Sequence, residues 1–287
     1  MSTLIDSHHH IWDPAIANYP WMTDALDLIR RKFDPEDLRE VMGDVGVTGT
    51  VLVQTRSDFC ESTEFLAVAE DTDFIIGVVA WADLTAPNVS SDIQLLKNGK
   101  GGEFLVGIRH QVHDEADENW LLRDDVRRGL EAVAAHDLAF DLLVRPRELP
   151  ATIKIVQSIP EIRWVLDHIA KPDIANGKWE PWASLVSELA DASPNCWVKL
   201  SGMCTEANWS TWTQEEIEPY VKHIVACFGP DRCMLGSDWP VSLLAGSYER
   251  TMKTVLELTA YLPPPQQTAL QASNAVAAYR LKLERSK

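Results

Sequence analysis

Eight short apolar runs recur along the chain, separated by longer stretches whose apolar positions repeat at helical spacing. The runs are "TLIDSHH" (3–9), "GTVLVQT" (49–55), "FIIGVVAW" (74–81), "LVGIRHQV" (105–112), "AFDLLVR" (139–145), "RWVLDHI" (163–169), "CWVKLSG" (196–202) and "CMLGSDW" (233–239). Apolar character is nearly continuous within each, as a strand covered on both faces requires. Between them, "DPEDLREVMGDVG" opens with Asp34 as N-cap and Pro35 at the first helical position and stops at glycine. "RDDVRRGLEAVAAHD" and "WEPWASLVSELADA" also carry apolar residues at helical spacing.

Strand and helix alternating about eight times predict an α/β fold of the (β/α)8 TIM-barrel type. A barrel of this kind uses roughly 250 residues, so one domain over 1–287 accounts for the chain. The competing open doubly wound sheet calls for a Gly-rich phosphate loop after its first strand, and none follows "LIDSH". The segment 258–283 reads as a proline-containing loop and then a C-terminal closing helix near 264–284.

The formal charge of −17 argues against nucleic acid or an anionic membrane as partner. The longest apolar run, "FIIGVVAWA" (74–82), is too short to span a bilayer. "MSTLIDSHHH" lacks the basic and apolar regions of a signal peptide, so a cytoplasmic protein is expected. Five cysteines without CxxC spacing read as reduced thiols. Eleven tryptophans leave some free to line a pocket, where an indole offers a flat face to a ring-shaped ligand.

The candidate chemistry lies where barrel strands end, since catalytic groups gather at the C-terminal face. Residues i and i+2 of a strand share a face, so His8 and His10 point together at the end of the first strand and His9 points away. The sixth run ends "VLDHIAKP", with His168 and then Lys171; the eighth ends "LGSDWP", with Asp238 and, one step below it, Gly236, which leaves room. His8, His10, His168 and Asp238 form a set suited to a divalent metal or to a hydrogen-bonded base with its supports. By parity Asp6 shares the inward face, deeper than His8, where it would orient a histidine, and Asp167 faces outward.

The ordered set "DxHxH", "DH..KP" and "GSDWP", with "HHHIWD", "GIRHQVHDE", "DLLVRP" and "KLSGM", resembles the amidohydrolase superfamily, and within it the branch of sugar-lactone hydrolases of the L-fuconolactonase and L-rhamnonolactonase type. The resemblance spans nearly the whole chain. It implies hydrolysis of a cyclic ester, an L-fucono-, L-galactono- or L-rhamnono-lactone, to the aldonic acid. The superfamily's strand-four bridging ligand and strand-five histidine have no counterpart: these strands offer Arg109 and His110, then Asp141 and Arg145. A two-metal centre is therefore not expected. The resemblance implies either no required cofactor or one divalent metal such as zinc, on His8, His10, His168 and Asp238.

In this reading Asp238 is the general base that activates water, and His8, His10 and His168 position that water or ligate the metal. Arg109, His110 and Lys171 are the donors for the developing oxyanion and the sugar hydroxyls, although strand parity turns only one of Arg109 and His110 inward. Trp12 and Trp239 are candidates to stack on the sugar ring and Gln54 to bond a hydroxyl; Glu61 and Glu64 are weaker candidates. His113, His136 and His223 are assigned to surface or helix, and Asp141 to tying strand five to its neighbours. The expected partner is a small-molecule sugar lactone, with no nucleic acid or membrane, and a homo-oligomer stays open. Two rival functions remain, a metal-dependent amide hydrolase or decarboxylase of the same superfamily, and a sugar-acid binding protein without catalysis.

Overall fold

The structure, a computed structural model, describes residues 3–283. Eight parallel strands pair in the order β1 to β8: Ile5–His9, Gly49–Val53, Ile75–Ala80, Leu105–His110, Ala139–Leu142, Arg163–Leu166, Cys196–Leu200 and Cys233–Leu235. The ring closes where His10 N donates to Trp239 O (2.7 Å) and Asp238 N to His8 O (2.8 Å). The fold is a (β/α)8 barrel, and each strand falls inside its predicted run. The runs extend beyond the strands because their last residues leave the ladder and become the loops of the catalytic face.

The connecting helices are α1 (Pro35–Met42), α2 (Phe59–Asp71), α3 (Val89–Asn98), α4 (Asp124–Ala135), α5 (Leu149–Ser158), α6 (Trp182–Ala192), α7 (Gln214–Phe228) and α8 (Tyr248–Leu258). α1 starts as its sequence dictates. The Asp34 carboxylate accepts from Glu36 N and Asp37 N, and Asp37 reaches back to Asp34 N. One apolar layer lies between strands and helices. A smaller one fills the barrel, with Ile5, Val51, Val79, Val165 and Met234 pointing inward.

The closing helix runs through Pro264–Thr268, a π-helical turn at Ala269–Ser273 and Asn274–Tyr279. It lies across the N-terminal end of the barrel. Asn274 donates to Cys233 O (2.7 Å) at the start of β8, and Arg163 at the start of β6 donates to Ala278 O (2.8 Å). The helix ends at Tyr279 because Arg280 is left-handed (φ +53°), so it is shorter than expected; Glu284, with residues 1–2 and 285–287, lies outside the described residues. No helix among the described residues is long and apolar enough to cross a membrane, and the five cysteines are unpaired.

Gly129 tests how tightly α4 is seated. In an open helix, glycine to alanine gains about 1 kcal/mol. Here a Cβ would lie 2.3 Å from Leu84 O and 2.7 Å from Leu84 Cα, backbone atoms that cannot rotate aside. Gly129→Ala is expected to destabilise by roughly 1–3 kcal/mol, read as a fall of several degrees in the thermal midpoint; a midpoint at or above wild type would show that α4 shifts freely.

Candidate active site

At the C-terminal face of the barrel a cavity of about 320 Å³ has His10, Arg109, His168, Lys171 and Asp238 in its wall. A depression of about 400 Å³ at the opposite end, between Phe104, His136 and Arg280, brings no comparable donor set together. The chemistry lies at the first.

The β1 tip does not keep simple alternation. Its register against β2 shifts between Asp6 and His9. Ile5 points into the barrel, the shift intervenes, and His8 and His10 then point to the cavity side. Asp6, expected beside them, is directed to β8 and α8 instead: it accepts from Ser237 N (2.8 Å), Ser237 Oγ (2.6 Å), Tyr248 OH (3.1 Å) and His8 N (3.1 Å). It fixes the backbone of the two motifs and touches no imidazole. Gly236 leaves the expected room, since a Cβ there would lie 3.0 Å from His8 Cβ and 3.1 Å from Ser201 Cβ.

His168 reaches the cavity by another route. β6 ends at Leu166, and His168, Ile169, Ala170 and Lys171 all take left-handed backbone (φ +50°, +49°, +62° and +49°). Such residues cost about 1 kcal/mol or more each. The turn is held by Lys171 N donating to His168 O (2.8 Å) and Trp182 Nε1 of α6 donating to Ile169 O (2.6 Å). Asp167 faces the barrel interior like Val165, against the expected outward parity, which counted from His168 as if it still belonged to the strand. Asp238 is also left-handed (φ +56°).

The four groups converge. His8 Nε2 lies 3.1 Å from His10 Nε2. Asp238 Oδ1 is 3.5 Å from His10 Nε2 and 3.8 Å from both His8 Nε2 and His168 Nε2. The far nitrogens are anchored: His10 Nδ1 donates to Val53 O (2.7 Å), and His168 Nδ1 meets Ser201 Oγ (2.9 Å). His8 Nδ1 has a donor, Lys199 Nζ (3.0 Å), and an acceptor, Asp167 Oδ1 (3.4 Å). Burial pushes the His168 imidazole down to about 4, and burial, then Lys199, holds His8 well below its ordinary value. Burial alone would raise Asp238, but His168, His10 and Lys171 outweigh it and lower the carboxyl below its ordinary value. At neutral pH Asp238 is therefore a carboxylate beside the neutral rings of His8 and His168.

Those separations suit one metal ion. Zinc bonds of about 2.0–2.1 Å in a tetrahedron set donor atoms roughly 3.3 Å apart, and the outward nitrogens have the hydrogen-bond partners that ligating histidines use. A second group, His8, Asp167 and His168, also comes together. Lys199 Nζ lies 3.0 Å from Asp167 Oδ1 and Arg109 Nη1 3.0 Å from Oδ2, so two cations already neutralise it.

The binding candidates divide. Lys171 reaches the cavity and pairs with Glu206 (2.5 Å). Arg109 lines it too, but its donors are engaged by Gln54, Asp167 and His8. Gln54 is consumed by that contact, its Oε1 accepting from Arg109 Nη2 (2.9 Å), so it is not free for a hydroxyl. His110 turns out of the barrel by parity, as only one of the two could face in: it accepts from Trp81 Nε1 (3.1 Å), meets Glu115 (2.7 Å) and stacks on Trp120. Trp12 and Trp239 are buried in the wall against Phe33, with Trp12 Nε1 donating to Ile29 O (3.0 Å). Glu61 holds Thr55 N (2.7 Å) and Arg56, and Glu64 is exposed on α2.

The tryptophans that do line the cavity are Trp21 and Trp209, with Arg145 and His113. Loop residues carry no periodic signal, and His113, assigned to surface or helix, sits half-buried on a short 3-10 turn (Val112–Asp114) at the cavity. Lys199, fully buried beneath His8, went unread; a lysine within a strand covered on both faces was its signal.

A family model described as Amidohydrolase matches residues 5–281. L-fucono-1,5-lactonase of Burkholderia ambifaria is 41% identical over 248 residues, 86% of this chain and 84% of that one. L-fucono-1,5-lactonase of Burkholderia multivorans is 34% identical over 289 residues, 96% of both chains. The crystal structure of an amidohydrolase from Burkholderia multivorans with bound zinc matches with a TM-score of 0.91 at 33% identity, covering 98% of this chain and 100% of that one.

Burial sets a pH dependence of stability. His9 and His113 are pushed down to about 3 and His168 to about 4, by burial in each case, against about 6.5 when unfolded. Their depressed folded values mean that the contribution is complete above pH about 6.5 and is lost as pH falls from there toward 3–4. The thermal midpoint is expected to fall between pH 7 and pH 5, at about 1 kcal/mol per pH unit for each fully buried ring; a constant midpoint would show that the rings accept protons in the folded protein.

Proposed function

The chain belongs to the amidohydrolase family, and we propose that within it the protein hydrolyses a sugar-acid lactone of the L-fucono-, L-galactono- or L-rhamnono-lactone type to the aldonic acid. The observation that carries this reading is a single carboxylate, Asp238, buried at the cavity floor with three imidazole Nε2 atoms 3.5–3.8 Å from it. Similarity to L-fucono-1,5-lactonases over most of the chain supports the substrate class.

Opening a lactone requires a new bond from water oxygen to the carbonyl carbon, cleavage of the ring C–O bond, and a proton moved from the water to the departing alkoxide. Asp238, held ionised by its neighbours, accepts the water proton and returns it to the ring oxygen. His8, His10 and His168, their far nitrogens fixed, hold that water against the carboxylate. Lys171 and Arg145 face the cavity and supply positive charge for the carbonyl oxygen as it becomes an oxyanion, a role worth roughly 3–4 kcal/mol per well-placed donor. Trp21 and Trp209 offer apolar faces to the sugar ring. One divalent metal such as zinc would be held by His8, His10, His168 and Asp238, where it would polarise the carbonyl and acidify water. A strained cyclic ester does not strictly require that help.

The test is acid release across a panel of sugar lactones, with and without chelator, for the wild type and Asp238→Asn. The variant is expected to lose at least about 100-fold in kcat while its unfolding midpoint holds. Activity lost to chelator and restored by zinc assigns the metal; activity indifferent to chelator assigns the carboxylate alone. Acid release from none of the lactones, or near-normal turnover by the variant, overturns the reading.

A further inference from the structure

The motif "KLSGM" on β7 contributes nothing to the group that would meet substrate, yet it holds both neighbouring imidazoles from behind. Lys199 is fully buried and does not reach the cavity. Its ammonium has three partners: Asp141 Oδ2 (2.6 Å), Asp167 Oδ1 (3.0 Å) and His8 Nδ1 (3.0 Å). Asp141 is steadied from the opposite end of the barrel, where Tyr279 OH of the closing helix donates to its carboxylate (2.8 Å to Oδ2). Two residues on, Ser201 Oγ contacts His168 Nδ1 (2.9 Å). Gly202 is left-handed (φ +64°), and a Cβ there would lie 2.6 Å from His168 Nδ1, so only glycine lets the ring lie against the strand.

Stability alone does not explain this strand. Other strands fill the barrel interior with Val51, Val165 and Met234, and an apolar trio in place of Lys199, Asp141 and Tyr279 would be neutral or stabilising. The contacts that an apolar trio could not replace are those to His8 Nδ1 and to Asp167 Oδ1 (3.0 Å each).

We propose that β7 and the turn that follows it position the active site: Lys199 on the strand, braced by Asp141 and Tyr279, fixes the ring of His8, while Ser201 and Gly202 just beyond it fix the ring of His168. These are positioning residues, acting through the histidines and touching no substrate. The inference rests on the lactonase reading for its kinetics but not for its geometry.

Removing Lys199 alone leaves buried carboxylates unpaired and endangers folding. The informative variant is the triple Lys199→Met, Asp141→Leu, Tyr279→Phe, which removes Lys199 together with the carboxylate and hydroxyl that brace it and leaves Asp167 balanced by Arg109; Ser201→Ala, with no charge at stake, is its companion. Three quantities are measured: the thermal midpoint, kcat and KM on the lactone turned over by wild type, and the His8 and His168 ring orientations in crystal structures of the variants. The triple variant is expected to fold with a midpoint near wild type, keep KM within about threefold and lose about 10–100-fold in kcat, with the His8 ring displaced. Ser201→Ala is expected to lose about tenfold in kcat with the His168 ring displaced. A folded triple variant with normal kcat and an unmoved His8 ring overturns the proposal, as does a loss of kcat that merely tracks the fall in midpoint. If wild type opens no lactone, the functional reading fails and ring orientation alone decides this one.

Discussion

The candidate site stands on a knot of charge inside the barrel. Asp167 is clasped between Lys199 on one oxygen and Arg109 on the other, both at 3.0 Å, and Lys199 also holds Asp141. Burial raises the Asp141 carboxyl to about 6, with Lys199 opposing it. For Asp167 the cations win, and its carboxyl sits well below the ordinary range. Two cations and two carboxylates thus nearly cancel in the buried interior of the barrel, the terms on which such groups stay buried. His8 rests on this knot, while His10 and His168 have their own anchors in Val53 O and Ser201 Oγ.

The knot's ammonium and guanidinium occupy both oxygens of Asp167, Lys199 at Oδ1 and Arg109 at Oδ2. The chain carries −17 overall, while the cavity brings Arg109, Arg145 and Lys171 together with Asp114, Glu206 and Asp238. On the lactonase reading the neutral ester is indifferent to the overall charge, and the carboxylate formed from it is repelled by that charge.

The barrel was legible because parallel strands buried on both faces cannot hide their composition: all eight runs contain a strand. The convergence of His8, His10, His168 and Asp238 followed from placing run ends on one face. What failed was parity beyond the ladder. A register shift in β1 turned His8 inward while Asp6 kept the strand's alternation, and the left-handed turn that starts at His168 brought that ring in beside an already inward Asp167. Neither leaves a compositional trace, since both are backbone states imposed by tertiary contacts. Trp12 and Trp239 looked available because they adjoin the motifs, but adjacency in sequence put them in the wall. The cavity tryptophans sit on loops whose course no periodicity describes.

The backward-coiled stretch from His168 to Lys171 is secured largely from outside, by an indole on α6. His168, Ile169 and Ala170 are themselves buried, so the tension of four left-handed residues is carried by the packing around them and not by the ladder.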